Sequence, residues 1–195
     1  MTKGIFEARE HALEASYFQR QDARLIEKLR RNAELDEIAA ALVEKLHVDN
    51  PDLLVRARHL GITAETAPAL FLAPLVQVAW AEGSVGAAEC KAVLRQARGR
   101  GLDPSSTAYH QLQEWLRNRP PEAIFTTALE VIRSGFSVLS SWEREERIER
   151  LVDACREVAL APKGIAPLFG LGRTVSRVEA DMVASIDAEL RAQLA

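Results

Sequence analysis

Cys90 and Cys155 are the two thiols of the chain. Zinc ligation or dithiol exchange needs a second Cys or a His within a few positions, and neither has one. Both therefore read as reduced, packed thiols. His47, His59 and His110 have no carboxylate or cysteine at ligand spacing and read as surface or satisfied histidines. No serine lies in a Gly-x-Ser-x-Gly context, and no acid/base pair can be nominated. In the loop from Ala161 to Arg173, Lys163 and Arg173 precede a helix start, where an anion could sit. That loop has no Gly-Lys-Ser/Thr, however, and Ile165, Leu168, Phe169 and Leu171 suit a contact loop. Two carboxylates are placed more regularly: Glu89 stands three residues after Gly86, and Glu179 three after Ser176. At that spacing a carboxylate at the third helical position satisfies the amide of the capping residue, a structural task with its own mechanism.

The elements that position these groups are helical throughout. From Gly4 to about His47 there is no Pro and no internal Gly, and strong helix formers dominate. Phe6, Leu13 and Tyr17, then Phe18, Leu25 and Leu29, then Ile38, Leu42 and Leu46 make one apolar stripe. The polar stretch Gln19 to Arg24 interrupts it, so no sustained heptad repeat exists. Such a helix would extend roughly 65 Å, and its first half is expected to project.

Asp49-Asn50-Pro51-Asp52 caps a short helix ending near Gly61. Thr63 is expected to cap an apolar helix up to Trp80 that Pro74 kinks or splits. Further helices are expected over 87–97, from Asp103-Pro104-Ser105 through Leu116, from Pro121 through Ile132, from Ser140-Ser141 to Leu160, and from Ser176 to about Leu194. Trp80, Trp115 and Trp142 fall at helical core spacing and read as packing residues. No segment alternates β-branched residues, so the fold class is all-α with eight or so helices. Residues 1–47 form the long helix, and 48–195 the helical domain.

Composition narrows the function. The 195 residues suit one ordinary domain with an appendage, and 48% hydrophobic residues can build a core. Net charge is -3, from 25 basic and 28 acidic residues, so the bulk basic footprint of a nucleic-acid binder is missing. The longest apolar run, Ala67 to Ala81, contains Pro68 and Pro74 and is broken by Gln77. It is too short to span a bilayer. The start of the chain is charged and reads as no secretory signal, so a cytoplasmic protein is expected.

An internal repeat appears in the second part of the chain. Ser84-Val85-Gly86-Ala87-Ala88-Glu89-Cys90-Lys91-Ala92-Val93 aligns with Thr174-Val175-Ser176-Arg177-Val178-Glu179-Ala180-Asp181-Met182-Val183. Hydroxyl, Val, three residues, Glu, three residues and Val stay in register, as expected of two helical units about a pseudo-twofold axis. Over roughly residues 64–192 this resembles the tellurite-resistance TerB-like family of all-helical domains. That family follows an apolar helix with an acid, Gly, one residue, Val or Ile, and then Glu. Here the first copy is Glu82-Gly83-Ser84-Val85 with Glu89, and Gly172-Arg173 replace the acid and Gly in the second. The resemblance implies a divalent-cation site on Glu82, Glu89 and Glu179. A hard cation such as calcium takes six or more oxygens, and three carboxylates fall short of that, which leaves capping as the competing role.

The N-terminal stretch carries a second likeness. Gly4-Ile5-Phe6-Glu7-Ala8-Arg9-Glu10, Ala12, Glu14, Tyr17-Phe18, Gln21, Leu29 and Arg30-Arg31 resemble the inhibitory segment of the mitochondrial ATP synthase inhibitor family. The resemblance implies a helix that enters a cleft between F-type ATPase catalytic subunits and blocks ATP hydrolysis. Phe6, Tyr17, Phe18 and Leu29 would be buried anchors, with Arg9, Glu10 and Glu14 as flanking contacts. Leu13 and Ala15 replace acids of that family, Ser16 and Gln19 replace arginines, and Asn32-Ala33-Glu34 replaces its His-rich stretch. No pH control is carried over. The aromatics have an alternative use, packing on the chain's own domain or on a second copy in a homodimer. The expectation is a non-enzymatic regulatory or interaction protein with a protein partner. The alternative is a TerB-like metal-responsive or stress-related module that uses the long helix for self-association.

Overall fold

The structure is a computed structural model and describes residues 50–161 and 175–192. Among these residues there are eight α-helices and no strand, in agreement with the all-α expectation. They are α1 (Pro51–His59), α2 (Ala67–Leu70), α3 (Ala73–Ala79), α4 (Ala87–Gly99), α5 (Thr107–Arg117), α6 (Glu122–Ser137), α7 (Ser141–Ala159) and α8 (Arg177–Arg191). None of them is long and apolar enough to cross a membrane. The N-terminal helix, with Phe6, Arg9, Glu10, Glu14, Tyr17, Phe18 and Leu29, and the loop from 162 to 174 lie outside the described residues.

The fold is arranged around α3. Its residues Ala73, Pro74, Leu75, Val76, Val78 and Ala79 are all buried, the signature of a helix apolar on every side and therefore wrapped by others. It touches α4, α5, α6, α7 and α8. The expected split at Pro74 is present. Pro74 sits in the first turn of α3, where a missing amide costs nothing, and Phe71-Leu72 separate α3 from α2. A second helix pair, α7 against α8, is joined at its edge by Arg191, whose guanidinium meets Glu145 and Asp187. Helix α1 lies on α6 and is tied to it by an Arg56–Glu130 ion pair.

Three expectations need correction. Thr63 does not cap a helix. Thr63 and Thr66 exchange hydrogen bonds in a turn, with the Thr63 amide donating to Thr66 Oγ1 at 2.9 Å, and α2 starts only after Thr66. The helix expected from Asp103 begins later, at Thr107, because the Asp103 carboxylate accepts the Ser105 amide in its own turn and Ser106 is the cap. Trp142 is not a packing residue. It is 74% exposed, because position two of α7 points away from the face that Ile148, Leu151, Val152 and Cys155 bury. The other two tryptophans do pack, and Trp80 Nε1 donates to the Trp115 carbonyl at 2.8 Å, linking the end of α3 to α5.

Candidate functional site

The carboxylates singled out by the repeat hold helix starts. Glu89 is 3% and Glu179 1% exposed. The Gly86 amide donates to Glu89 Oε2 at 2.6 Å, and the Ser176 amide to Glu179 Oε2 at 3.0 Å. Ser176 completes the reciprocal bond by accepting the Glu179 amide at 3.3 Å, whereas Gly86 has no side chain to do so. The valines of the repeat follow the same logic: Val85 and Val175 rest against the core and Val93 and Val183 are buried in it. A third box, unrelated to the repeat, joins Ser140 and Glu143 at the start of α7.

Glu82 is exposed on the turn before α4. Among the described residues no three His, Cys, Asp or Glu side chains form a group able to hold a metal ion. Glu82, Glu89 and Glu179 are thus not brought together as one ligand set, and two of the three give an oxygen to a helix cap. The residues present do not fit a calcium site. His59 and His110 are exposed, as expected. Cys155 is fully buried and its thiol is pushed up to about 12 by that burial, so it is an inert packing group at neutral pH. Cys90 is half-buried and lines a shallow groove beside Trp80.

A feature of the tertiary structure stands out in place of these motifs. A cleft of about 630 Å³ opens where α2, α4, α6 and α7 converge. Phe71, Leu72, Ile132, Phe136 and Leu151 form its apolar walls, and Phe71 and Phe136 meet edge to face with ring centres 5.8 Å apart. Arg100, Arg147 and Arg150 line it too, with no carboxylate among its described lining residues. Arg150 Nη2 donates to Glu146 at 2.6 Å, and Arg100 donates to the Gln96 carbonyl at 3.3 Å and to the Gln96 side-chain oxygen. Desolvation lowers the pKa of Arg100 from its ordinary value, partly offset by Cys155 and Glu157.

The position of Arg100 is set by the backbone. α4 closes with Gly101 at φ +82°, with the Gly101 amide donating to the Arg98 carbonyl at 3.0 Å and Leu102 to Ala97 at 3.0 Å. This is the two-bond helix stop that needs a left-handed residue, and glycine supplies it without strain.

Beside the cleft, α6 turns into α7 through Val138, Leu139 and Ser140. Leu139 lines the cleft, while Val138 is 63% exposed, and Trp142, four positions on, is exposed as well. Arg144 clamps this turn: its Nε donates to the Phe136 carbonyl at 3.2 Å, and its Nη2 to Ser137 at 3.1 Å and Leu139 at 3.4 Å. The last carbonyls of α6 are thereby satisfied by a cation, as the helix dipole favours.

Ile132 and Leu151 are legible in the sequence as packing residues, but the arginines of the cleft are not legible as a site. Arg147 and Arg150, three apart beside the buried Ile148 and Leu151, were the available signal, but their partner Arg100 caps the end of another helix, α4. Compared with protein-family models, with curated proteins and with solved structures, the chain matches none.

Proposed function

We propose that this chain is a non-enzymatic interaction protein that binds a protein partner, with the N-terminal segment 4–31 as its docking helix and an F-type ATPase catalytic sector as the most concrete partner. The supporting observation on the domain is Trp142. A tryptophan exposed at the start of α7, just after a turn that Arg144 holds in place, is an anchor residue of the type that dominates protein interfaces. The support in the sequence is the Phe6, Tyr17, Phe18 and Leu29 stripe with its flanking Arg9, Glu10 and Glu14. The helical domain is read as TerB-like in its repeat, supported by the matched caps at Glu89 and Glu179. A metal-responsive role gains no support, since those carboxylates serve the caps.

Co-sedimentation of the full chain with the isolated catalytic sector tests the reading. Wild-type protein is expected to co-sediment and the Tyr17→Ala/Phe18→Ala variant to remain behind. If neither associates, while the substitutions change only how many copies of the chain assemble, the segment serves self-association and the regulator reading fails.

A further inference from the structure

This reading leaves unused the cleft between α2, α4, α6 and α7. Its walls are apolar, yet three guanidinium groups stand along it and none of its described lining residues is acidic. Two observations bear on what it would accept. Its volume, about 630 Å³, lies within the range of roughly 300–1,000 Å³ typical of small-molecule sites that combine apolar walls with a few convergent polar groups. The cations along it are also incompletely neutralised. Arg100 is held by the neutral oxygens of Gln96 with Glu157 acting on it only through space, Arg147 faces Glu143 one turn back without a direct hydrogen bond, and Arg150 is paired directly with Glu146. Glu157, the acid that acts on Arg100, is already engaged by the Gln96 amide at 2.5 Å and by Arg95 at 3.8 Å. A guanidinium at the mouth of an apolar cleft that has no carboxylate bonded to it gains more from an arriving anion than one already paired, and its planar donors suit a two-oxygen head.

We propose that this cleft binds a single-chain amphiphile with an anionic head, the head lying against Arg100 and Arg147 and the chain lying along Phe71, Ile132, Phe136 and Leu151. A wholly apolar ligand would leave the cations at the cleft mouth without an anion. A small inorganic anion would leave the apolar walls exposed. The amphiphile satisfies both halves, and its two candidate heads, carboxylate and phosphate, share the chemistry that the arginines recognise.

The test is a calorimetric titration of the full chain with dodecanoate, dodecyl phosphate and dodecanol, each kept below its aggregation concentration, and with acetate and inorganic phosphate. Saturable binding of dodecanoate or dodecyl phosphate is expected, at least about tenfold tighter than dodecanol, because a hydrogen bond to a charged group contributes on the order of 1.5–3 kcal/mol. The tighter of the two identifies the head, and the chainless anions are expected not to bind. Arg147→Glu, an exposed substitution that leaves the fold intact, is expected to weaken binding at least about tenfold. Arg100→Gln is expected to do the same and to narrow the preference over dodecanol. The proposal is overturned if no amphiphile binds, if dodecanol binds as well as the anions, or if both variants, with wild-type melting temperatures, bind like wild type.

Discussion

Glu89 and Gly86 are joined by a 2.6 Å hydrogen bond in which the backbone amide donates to a buried carboxylate. That contact turns what resembled a metal ligand into the start of α4. Replacing Glu89 with Ala removes a charge-assisted cap and should cost about 1–2 kcal/mol. A thermal melt should show a loss of roughly 2–4 °C for each kcal/mol. Added calcium should leave the melting temperature of wild type unchanged, since a ligand that binds only the native state must raise it. A calcium-dependent rise that Glu89→Ala abolishes would restore the cation reading.

Gly101 makes a separable prediction. Gly101→Ala meets no neighbouring atom within 4 Å, so its cost is purely that of a left-handed backbone at φ +82°. It should destabilise by about 1–2 kcal/mol and also weaken amphiphile binding, because Arg100 sits on the residue before it. Measuring both in one variant distinguishes a helix stop that positions the cleft from one that merely ends α4.

Trp142→Ala should leave stability within about 0.5 kcal/mol, as for other exposed positions without special contacts, while weakening partner capture. Arg144→Ala should cost stability, because the Phe136, Ser137 and Leu139 carbonyls lose a charged donor. Denaturant unfolding checks both. Equal stability losses would mean that Trp142 packs after all.

Acid sensitivity follows from the turn carboxylates. Hydrogen bonds from Ser105 hold the Asp103 carboxyl below its ordinary value, and bonds from Ser140 do the same for Glu143. A carboxylate depressed in the folded state stabilises above its unfolded pKa, and that contribution fades as pH falls through the folded pKa. The melting temperature should therefore drop from about pH 5 downward, and Ser105→Ala/Ser140→Ala should flatten that drop. An unchanged slope would refute the assignment.

Cys155 titrates in the opposite sense. Burial raises Cys155 from its ordinary 9.0 to about 12, so the unfolded thiol ionises first and stability declines as pH rises from about 9 towards about 12. In native protein at neutral pH, iodoacetamide should modify Cys90 and leave Cys155 untouched until denaturant is added. Equal labelling rates would contradict the burial of Cys155.

Local signals in the sequence carried most of the helix limits. Ser140 with Glu143, Ser176 with Glu179, and Pro74 each act through the backbone within one turn, so spacing alone identifies them. Trp142 was misread because helical periodicity shows that residues share a face but not which way the first turn of α7 faces. Thr63 was misread because two threonines three apart can bond to each other in a turn as readily as to a helix start. The cleft was not legible at all. Arg100 and Arg147 are 47 positions apart, and only the packing of α4 and α7 around α3 puts them along one cavity.

The central claim is that the leading segment exists to engage another molecule, and the rate of ATP hydrolysis by an isolated F-type catalytic sector reports on it most directly. Titrating in the full chain should lower that rate to a saturating minimum, with Tyr17→Ala/Phe18→Ala shifting the titration to higher concentration at least about tenfold, the loss expected for interface anchors. A rate that stays constant across the titration, with wild type and variant alike, would contradict the account.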